Sequence, residues 1–276
     1  MIHMNAAGLT DVGRVRTNNE DAMYIGGPVL IVADGMGGAV AGEVASSIAI
    51  KTIPENLKEL SNVSGANILR VLENSIRKAD DEIRDRIKQD RSLEGMGTTI
   101  VVAIHLDSRL LIGYVGDSRA YIVTGLAGVS QKEKIPRPEV NANAQTGVMP
   151  QFTGGKHDAA GENISRITVD HSVVMDMVRS GVILEEDIRT HPLRNRITRC
   201  LGSVGNSEPE FVWHDISGGE ILIMCSDGLW EMVHERLMFA IVNSSETPRD
   251  ICSRLITAAN NSGGVDNITV IAAMFE

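Results

Sequence analysis

Apolar runs rich in β-branched residues recur along the chain, each closed by Gly, Asp or Asn: Val29–Ala33, Thr99–Leu106, Leu110–Val115, Ala120–Val123, Ile221–Cys225 and Ile268–Phe275. Their length and composition predict strands. Leu110–Val115 is followed so closely by Ala120–Val123 that antiparallel pairing is expected rather than long parallel crossovers. Between the strands the period changes. Over Ala66–Lys88, Ile68, Leu69, Leu72, Ile76, Ala79, Ile83 and Ile87 recur at three- and four-residue steps opposite a charged face, which predicts an amphipathic helix. A second helix is expected over about Gly42–Leu60, interrupted at Pro54. A third starts at Thr247 as N-cap, with Pro248 in the first turn and Asp250 completing a capping-box-like pattern. Gly263 and Gly264 mark its stop.

Thr124–Asn163 breaks the pattern, being rich in Gly, Asn, Gln, Pro and Lys with little periodicity. A loop of this length inside a compact domain is uncommon. It reads either as a surface insertion without a role or as an adaptable surface for protein substrates. Nothing else resembles a linker and no internal repeat is evident. The expectation is one α/β (α+β) domain over 1–276, with mainly antiparallel sheets flanked by helices.

Composition narrows the function. The 276 residues are 43% hydrophobic and 22% charged, ordinary values for a globular protein, so a large core forms without disulfides or a structural metal. The three cysteines, Cys200, Cys225 and Cys252, are far apart, form no CxxC pair and point to a reducing cytoplasm. No signal pattern and no membrane-spanning run is present. Acidic residues outnumber basic ones 36 to 26, for a formal charge of -10, and no basic stripe tracks a phosphate backbone, so nucleic acid is not an expected partner.

Some of those acids are placed, not scattered. Asp34, Asp117, Asp227 and Asp266 stand at the ends of the predicted strands, and Asp34 and Asp227 are each followed by Gly. A strand fixed in a core holds such a carboxylate rigidly, and the glycine lets a backbone carbonyl approach the same point. One Asp-Gly after a strand is ordinarily a turn. Four such acids, with no basic residue within those motifs to neutralise them, repel one another unless a cation is present. Oxygen-only donors select Mg²⁺ or Mn²⁺ over zinc, and the seven histidines show no zinc spacing.

The order of motifs is specific. Thr10–Asp21 (TDVGRVRTNNED), Val32–Gly38 (VADGMGG), Gly95–Thr99 (GMGTT), Val115–Tyr121 (VGDSRAY), Ser226–Trp230 (SDGLW) and Gly263–Val270 (GGVDNITV) together resemble the bacterial branch of the PP2C, or PPM, phosphatase family. The resemblance runs from about Ala7 to Phe275. It implies a four-layer α-β-β-α sandwich with the metal site at one end of the stacked sheets. By the same resemblance Asp34 bridges two ions, the Gly35 carbonyl joins the second, and Asp227 and Asp266 bind the first. Glu20 reaches the second ion through a water, Asp117 serves a third, and Arg16 clamps phosphate. A planar guanidinium among acids suits phosphate on physical grounds as well. Arg14 reads as a solvated neighbour.

The implied activity is metal-dependent hydrolysis of phosphoserine and phosphothreonine in proteins, reversing a Ser/Thr kinase; the cysteines place it in the cytoplasm, and a monomer is taken by default. Two close ions lower the pKa of a shared water, and the resulting hydroxide attacks phosphorus in line. No Cys-x5-Arg arrangement exists, so the cysteines read as buried residues and Thr98 and Thr99 as strand residues. One departure concerns Met36, where many eukaryotic members have a histidine proposed as the acid for the leaving alkoxide; methionine cannot donate a proton.

Thr168–Ser172 (TVDHS) and the amphipathic Val173–Gly202 resemble the family's flap subdomain, over about 168–202. There His171 is either that acid or a histidine fixing a turn beside Asp170. Glu231 either orients waters on a third ion or is simply the first charge after its motif. Two other functions remain open to the sequence: an inactive phosphatase-fold binding module, and a two-metal phosphoesterase for small phosphates.

Overall fold

The computed structural model describes residues 2–37, 41–58, 65–125, 163–203 and 205–276. The bulk of the predicted insertion, 126–162, and Gly38 of the VADGMGG motif lie outside them. In chain order the elements are β1 (Met4–Asp11), β2 (Asp21–Gly26), β3 (Val29–Met36), α1 (Ala41–Asn56), α2 (Gly65–Gln89), β4 (Gly97–Thr98), β5 (Ile100–Leu106), β6 (Arg109–Val115) and β7 (Arg119–Val123). There follow β8 (Ile164–Arg166), α3 (Val173–Arg179), β9 (Glu210–Asp215), β10 (Ile221–Cys225), α4 (Asp227–Trp230), α5 (Glu235–Asn243), α6 (Pro248–Asn261) and β11 (Ile268–Phe275).

The strands make two sheets, ordered β1-β11-β10-β7-β8 and β2-β3-β5-β6-β9, with β4 paired to β3. Each ladder between these strands is antiparallel. Alternation along the strands explains the layering. On β3, Val29, Ile31 and Ala33 point to the layer of α1 and α2, where Leu72, Ile76 and Ile83 of α2 meet them. Leu30 and Val32 face the other sheet, joining Leu222, Met224, Ile271 and Ala273 between the sheets. On β10, Ile221, Ile223 and Cys225 face the opposite way, against Ile251, Leu255 and Ala259 of α6. Central strands buried on both faces read as continuous apolar runs, and that is how the sequence shows them. The result is the expected α-β-β-α order.

Two expectations change and one holds. Pro54 does not interrupt α1, which continues to Asn56, because it lies in the last turn where only the bond to the Ile50 carbonyl is forfeited. The third helix starts as expected, with the Thr247 hydroxyl accepting the Asp250 N–H at 3.1 Å, and ends at Asn261 before the glycines. The adjacent runs at β6 and β7 do not pair with each other; they lie in different sheets. Gly116 turns the chain between them at φ +107°, a left-handed conformation that only glycine adopts without strain. Asp117 therefore sits where the chain crosses from one sheet to the other.

Candidate active site

The crossing places the predicted acids at one end of the sandwich. Arg119, two residues after Asp117, is in register with Cys225, two residues before Asp227. Cys225 is in turn in register with Val270 of β11, the strand that Asp266 precedes. From the second sheet, Asp34 lies in β3 directly opposite Asp21 of β2. The Asp34 carbonyl accepts the Thr98 hydroxyl at 2.9 Å and the Thr99 N–H at 2.9 Å, and its own N–H donates to the Thr99 hydroxyl at 3.1 Å. Thr99 and Ser118 hydroxyls lie 2.7 Å apart, tying the GMGTT motif to the VGDSRAY motif. Thr98 and Thr99 are strand residues in the expected sense, and their hydroxyls are spent on anchoring Asp34.

Gly35 donates its N–H to the Glu20 carbonyl at 3.2 Å. A Cβ there would run into the Gly42 and Glu20 carbonyls, so no larger residue allows this approach. Asn267 then fixes the segment that carries Arg16 and Glu20. Its Oδ1 accepts the Glu20 N–H at 2.8 Å, while its Nδ2 donates to the Val12 carbonyl at 3.0 Å and the Asn18 carbonyl at 2.8 Å. Arg16 Nη2 donates to Asp266 Oδ2 at 2.7 Å with about half of the arginine side chain exposed. The predicted phosphate clamp and a predicted metal ligand are thus in contact. Arg14 is exposed, as expected.

Burial, and then the neighbouring carboxylates Asp21, Asp227, Asp117 and Asp266, hold the Asp34 carboxyl well above its ordinary range. Burial does the same to Asp227, with Asp117, Asp266 and Glu231 adding repulsion. Asp117 is pushed up to about 7, by burial first and then by Asp170, against relief from Arg119. Asp21 rises to about 6, again through burial. Glu20 and Glu231 are also raised by burial, with Arg16 and Arg194 respectively opposing. This is a concentration of uncompensated negative charge. The sequence reading that no basic residue stands within these motifs is corrected by Arg119, which lies in VGDSRAY but is committed to Asp170.

The donor set fits divalent cations. Every potential ligand is an oxygen, and among the described residues Asp21 Oδ1 is buried without a hydrogen-bond partner. Among the described residues no three His, Cys, Asp or Glu side chains close around one point by themselves. A few carboxylates completed by waters and a carbonyl, the habit of Mg²⁺ and Mn²⁺, matches that better than an all-protein cage.

Models of protein phosphatase 2C match residues 14–143 and 200–268 of the chain. The serine/threonine phosphatase stp of Listeria innocua is 35% identical, over 97% of this chain and 94% of that protein. The chain belongs to the protein phosphatase 2C family. The protein phosphatase PhpP of Streptococcus pneumoniae is 29% identical, over 97% of this chain and 96% of its own length. The solved catalytic domain of the serine/threonine phosphatase PstP, in complex with two manganese ions, superposes with a TM-score of 0.77 at 28% identity, covering 100% of this chain and 99% of that one.

Within this PP2C chain the stretch after β8, read from the sequence as amphipathic, is only partly helical. It forms α3, which stops before Gly181 at φ +71°, then a 3₁₀ turn at Glu185–Thr190 and irregular backbone from His191-Pro192. His171 is buried, and its Nδ1 accepts the Gly116 N–H at 3.1 Å, so it fixes the turn at Gly116. Asp170 instead receives Arg119 Nη2 at 2.6 Å and Nε at 2.9 Å in a buried fork. Met36 closes β3 opposite Gly97. Sequence reasoning missed Asp21, Asn267 and Ser226, whose hydroxyl donates to Asp21 Oδ2 at 2.7 Å. All three stand inside the motifs already singled out, and their pairing is visible only once the strands are registered.

Proposed function

We propose that the chain is a metal-dependent protein serine/threonine phosphatase, with 1–276 as one catalytic unit, 124–163 an insertion and 168–202 the flap. The carrying observation is the group of half-buried, mutually repelling carboxylates around the buried Asp117 at the sandwich end, with Arg16 at its rim. In this reading Asp34 with the Gly35 carbonyl, Asp227 and Asp266 would hold two ions, Glu20 would act on them through a water, and Asp117 would hold a third. Manganese is the ion of the PstP structure, and Mg²⁺ suits the same donors. When bound, such ions bring a water to a pKa near neutrality and neutralise charge on phosphate.

The protein's own residues do the rest. Arg16 offers two parallel donors to phosphoryl oxygens and sets the phosphorus for in-line attack. No thiolate competes as nucleophile: all three cysteines are buried, Cys252 is pushed up to about 11 by burial, and Cys200 and Cys225 are raised for the same reason. Neither Met36 nor the buried His171 delivers a proton to the leaving alkoxide, which leaves that task to water. The substrates are phosphorylated proteins, products of a Ser/Thr kinase, and we place the enzyme as a cytoplasmic monomer that binds neither nucleic acid nor membrane. No helix among the described residues is long and apolar enough to cross a membrane.

The reading is tested by comparing a phosphothreonine peptide with nucleotides as substrates, with Mn²⁺ and with EDTA. Peptide hydrolysis that appears with Mn²⁺ and vanishes with EDTA is expected. Preference for nucleotides would favour the small-phosphate alternative, and no hydrolysis at all the binding-module one. Arg16→Ala should mainly raise KM for the peptide. A charge-assisted contact is worth roughly 1.5–3 kcal/mol, or about 10- to 150-fold. An unchanged KM with a collapsed kcat would make Arg16 a group acting only in the transition state.

A further inference from the structure

The ladder bonds of β6 stop at Val115 and those of β7 begin at Arg119, so the turn that carries Asp117 is held by other means. Four bonds do it. Gly116 donates its N–H to His171 Nδ1 at 3.1 Å, and its carbonyl accepts the His171 N–H at 2.9 Å. The Asp117 carbonyl accepts Trp230 Nε1–H at 3.0 Å. The Ser118 hydroxyl is bonded to Thr99. One residue, His171, therefore grips both polar atoms of Gly116 from the flap side.

The hydrogen bond fixes the tautomer. Because Nδ1 accepts a backbone N–H, the ring proton lies on Nε2. Nε2 faces Glu210 Oε1 at 3.2 Å, and Arg199 Nη1 donates to the same oxygen at 2.9 Å. The 3.3 Å approach of Arg199 Nη1 to Nε2 is then two donors meeting on one acceptor. Glu210, on edge strand β9, also accepts the Tyr114 hydroxyl at 3.1 Å, and the Tyr114 ring stacks on the imidazole with centroids 5.3 Å apart. The His171 hydrogen bond, Tyr114 and Arg199 hold the Glu210 carboxyl down at about 2, so it is a permanent acceptor. Both faces of the imidazole's hydrogen bonding are consumed, and its orientation is set by β6, β9 and the flap together.

We propose that His171 is a positioning residue for Asp117, transmitting the placement of the flap and of Glu210 to the turn that presents the Asp117 carboxylate. The proposal rests on the assignment of Asp117 to an ion beyond the first two. His171 touches neither substrate nor ion. It acts through the Gly116 peptide.

The test uses three variants of the full chain. His171→Asn keeps an acceptor at the position of Nδ1, His171→Phe keeps the ring against Tyr114 without an acceptor, and His171→Ala removes both. Mn²⁺ titration calorimetry should show the tight ions unchanged in all three, with the weakest ion losing about tenfold in affinity in Phe and Ala but little in Asn. Turnover of a phosphothreonine peptide should follow the same order, falling about tenfold in kcat at unchanged KM. In an Asp117→Ala background, His171→Phe should cost nothing further, because residues acting as one unit are not additive. Near-UV circular dichroism of the Asn and Phe variants monitors the fold. Equal loss in Asn and Phe, or full additivity with Asp117→Ala, would overturn the proposal and leave His171 a purely structural residue. If Asp117→Ala left both Mn²⁺ binding and kcat intact, the assignment of Asp117 would fall, and the proposal with it, while Mn²⁺-dependent hydrolysis by the unaltered protein would still stand.

Discussion

Asp34→Asn is expected to abolish turnover and, in EDTA, to raise the melting temperature of the protein. Both effects come from one carboxylate. Asn has nearly the same shape but no charge, so on the proposed metal site it would no longer hold the ions; loss of several kcal/mol of transition-state stabilisation lowers kcat by about 10³-fold or more. Without ions the same charge is a liability. Burial and four neighbouring aspartates hold the Asp34 carboxyl well above the 3.8 of a free side chain. A raised carboxyl binds a proton in the folded protein that the unfolded chain has already released. Stability of the ion-free protein therefore falls as pH rises past about 4, and continues to fall until the folded-state value is passed.

Asp21 at about 6 and Asp117 at about 7 add to the same slope. The gain from Asp34→Asn should be small at pH 4 and largest near pH 8. An uncompensated buried charge costs several kcal/mol, and each kcal/mol moves the midpoint of a chain this size by about 2–4 °C, so a rise of about 5 °C or more is expected. Saturating Mn²⁺ should reverse the order, since binding at 100 times Kd stabilises the wild type by about 2.7 kcal/mol. Calorimetric melting at pH 4, 6 and 8, with EDTA and with Mn²⁺, reads all of this. An Asp34→Asn protein less stable than wild type in EDTA at pH 8 would show that the acids are already compensated by groups of the chain itself.

The strands legible in the sequence are those inside the sheets. β3, β5, β6, β7, β10 and β11 each have two neighbours, are buried on both faces, and read as unbroken apolar runs. The edge strands β1, β2, β8 and β9 were not legible. Residues such as those of Met4–Asp11 are only partly covered, and a half-buried edge accepts Asn, Gly and Thr as readily as Val. The site divides in the same way. Asp34, Asp227 and Asp266 could be located because a strand end is a local property. The roles of Asp21, Asn267, Glu210 and His171 depend on which chain segment lies opposite, and a resemblance of motifs does not supply that pairing. The cysteines are buried and Arg14 is exposed, as the sequence reading expected.

The largest expected loss of stability is at Arg119→Met. Its guanidinium is buried and bonded by two donors to the buried Asp170, bonded through Nη1 to the Tyr121 hydroxyl at 3.1 Å, and laid over the Trp230 ring with Cζ 3.5 Å from the centroid. Methionine fills much of the same space, so packing is largely kept, but Asp170 loses its main partner and is left with Arg166 at 3.6 Å. Breaking a buried pair from one side costs about 3–5 kcal/mol, or about 10 °C here. Replacing both partners, as in Arg119→Met with Asp170→Leu, leaves no charge stranded and should recover most of that loss.

The pH dependence distinguishes stranded charge from lost packing. In the wild type Asp170 is held below its ordinary range against burial by Arg119 and Arg166, so the pair contributes stability above the unfolded value of about 4, lost as pH falls through the lower folded value. In Arg119→Met burial prevails, Asp170 takes up a proton in the fold, and lowering the pH relieves the penalty. The gap between the two proteins should therefore narrow steadily from pH 8 to pH 4, while for the double variant it should stay small throughout. Denaturant unfolding at several pH values measures it. A gap independent of pH, or a double variant as unstable as the single one, would place the cost in the contact with Trp230, whose indole also holds the Asp117 carbonyl. In that case stability and turnover should fall together.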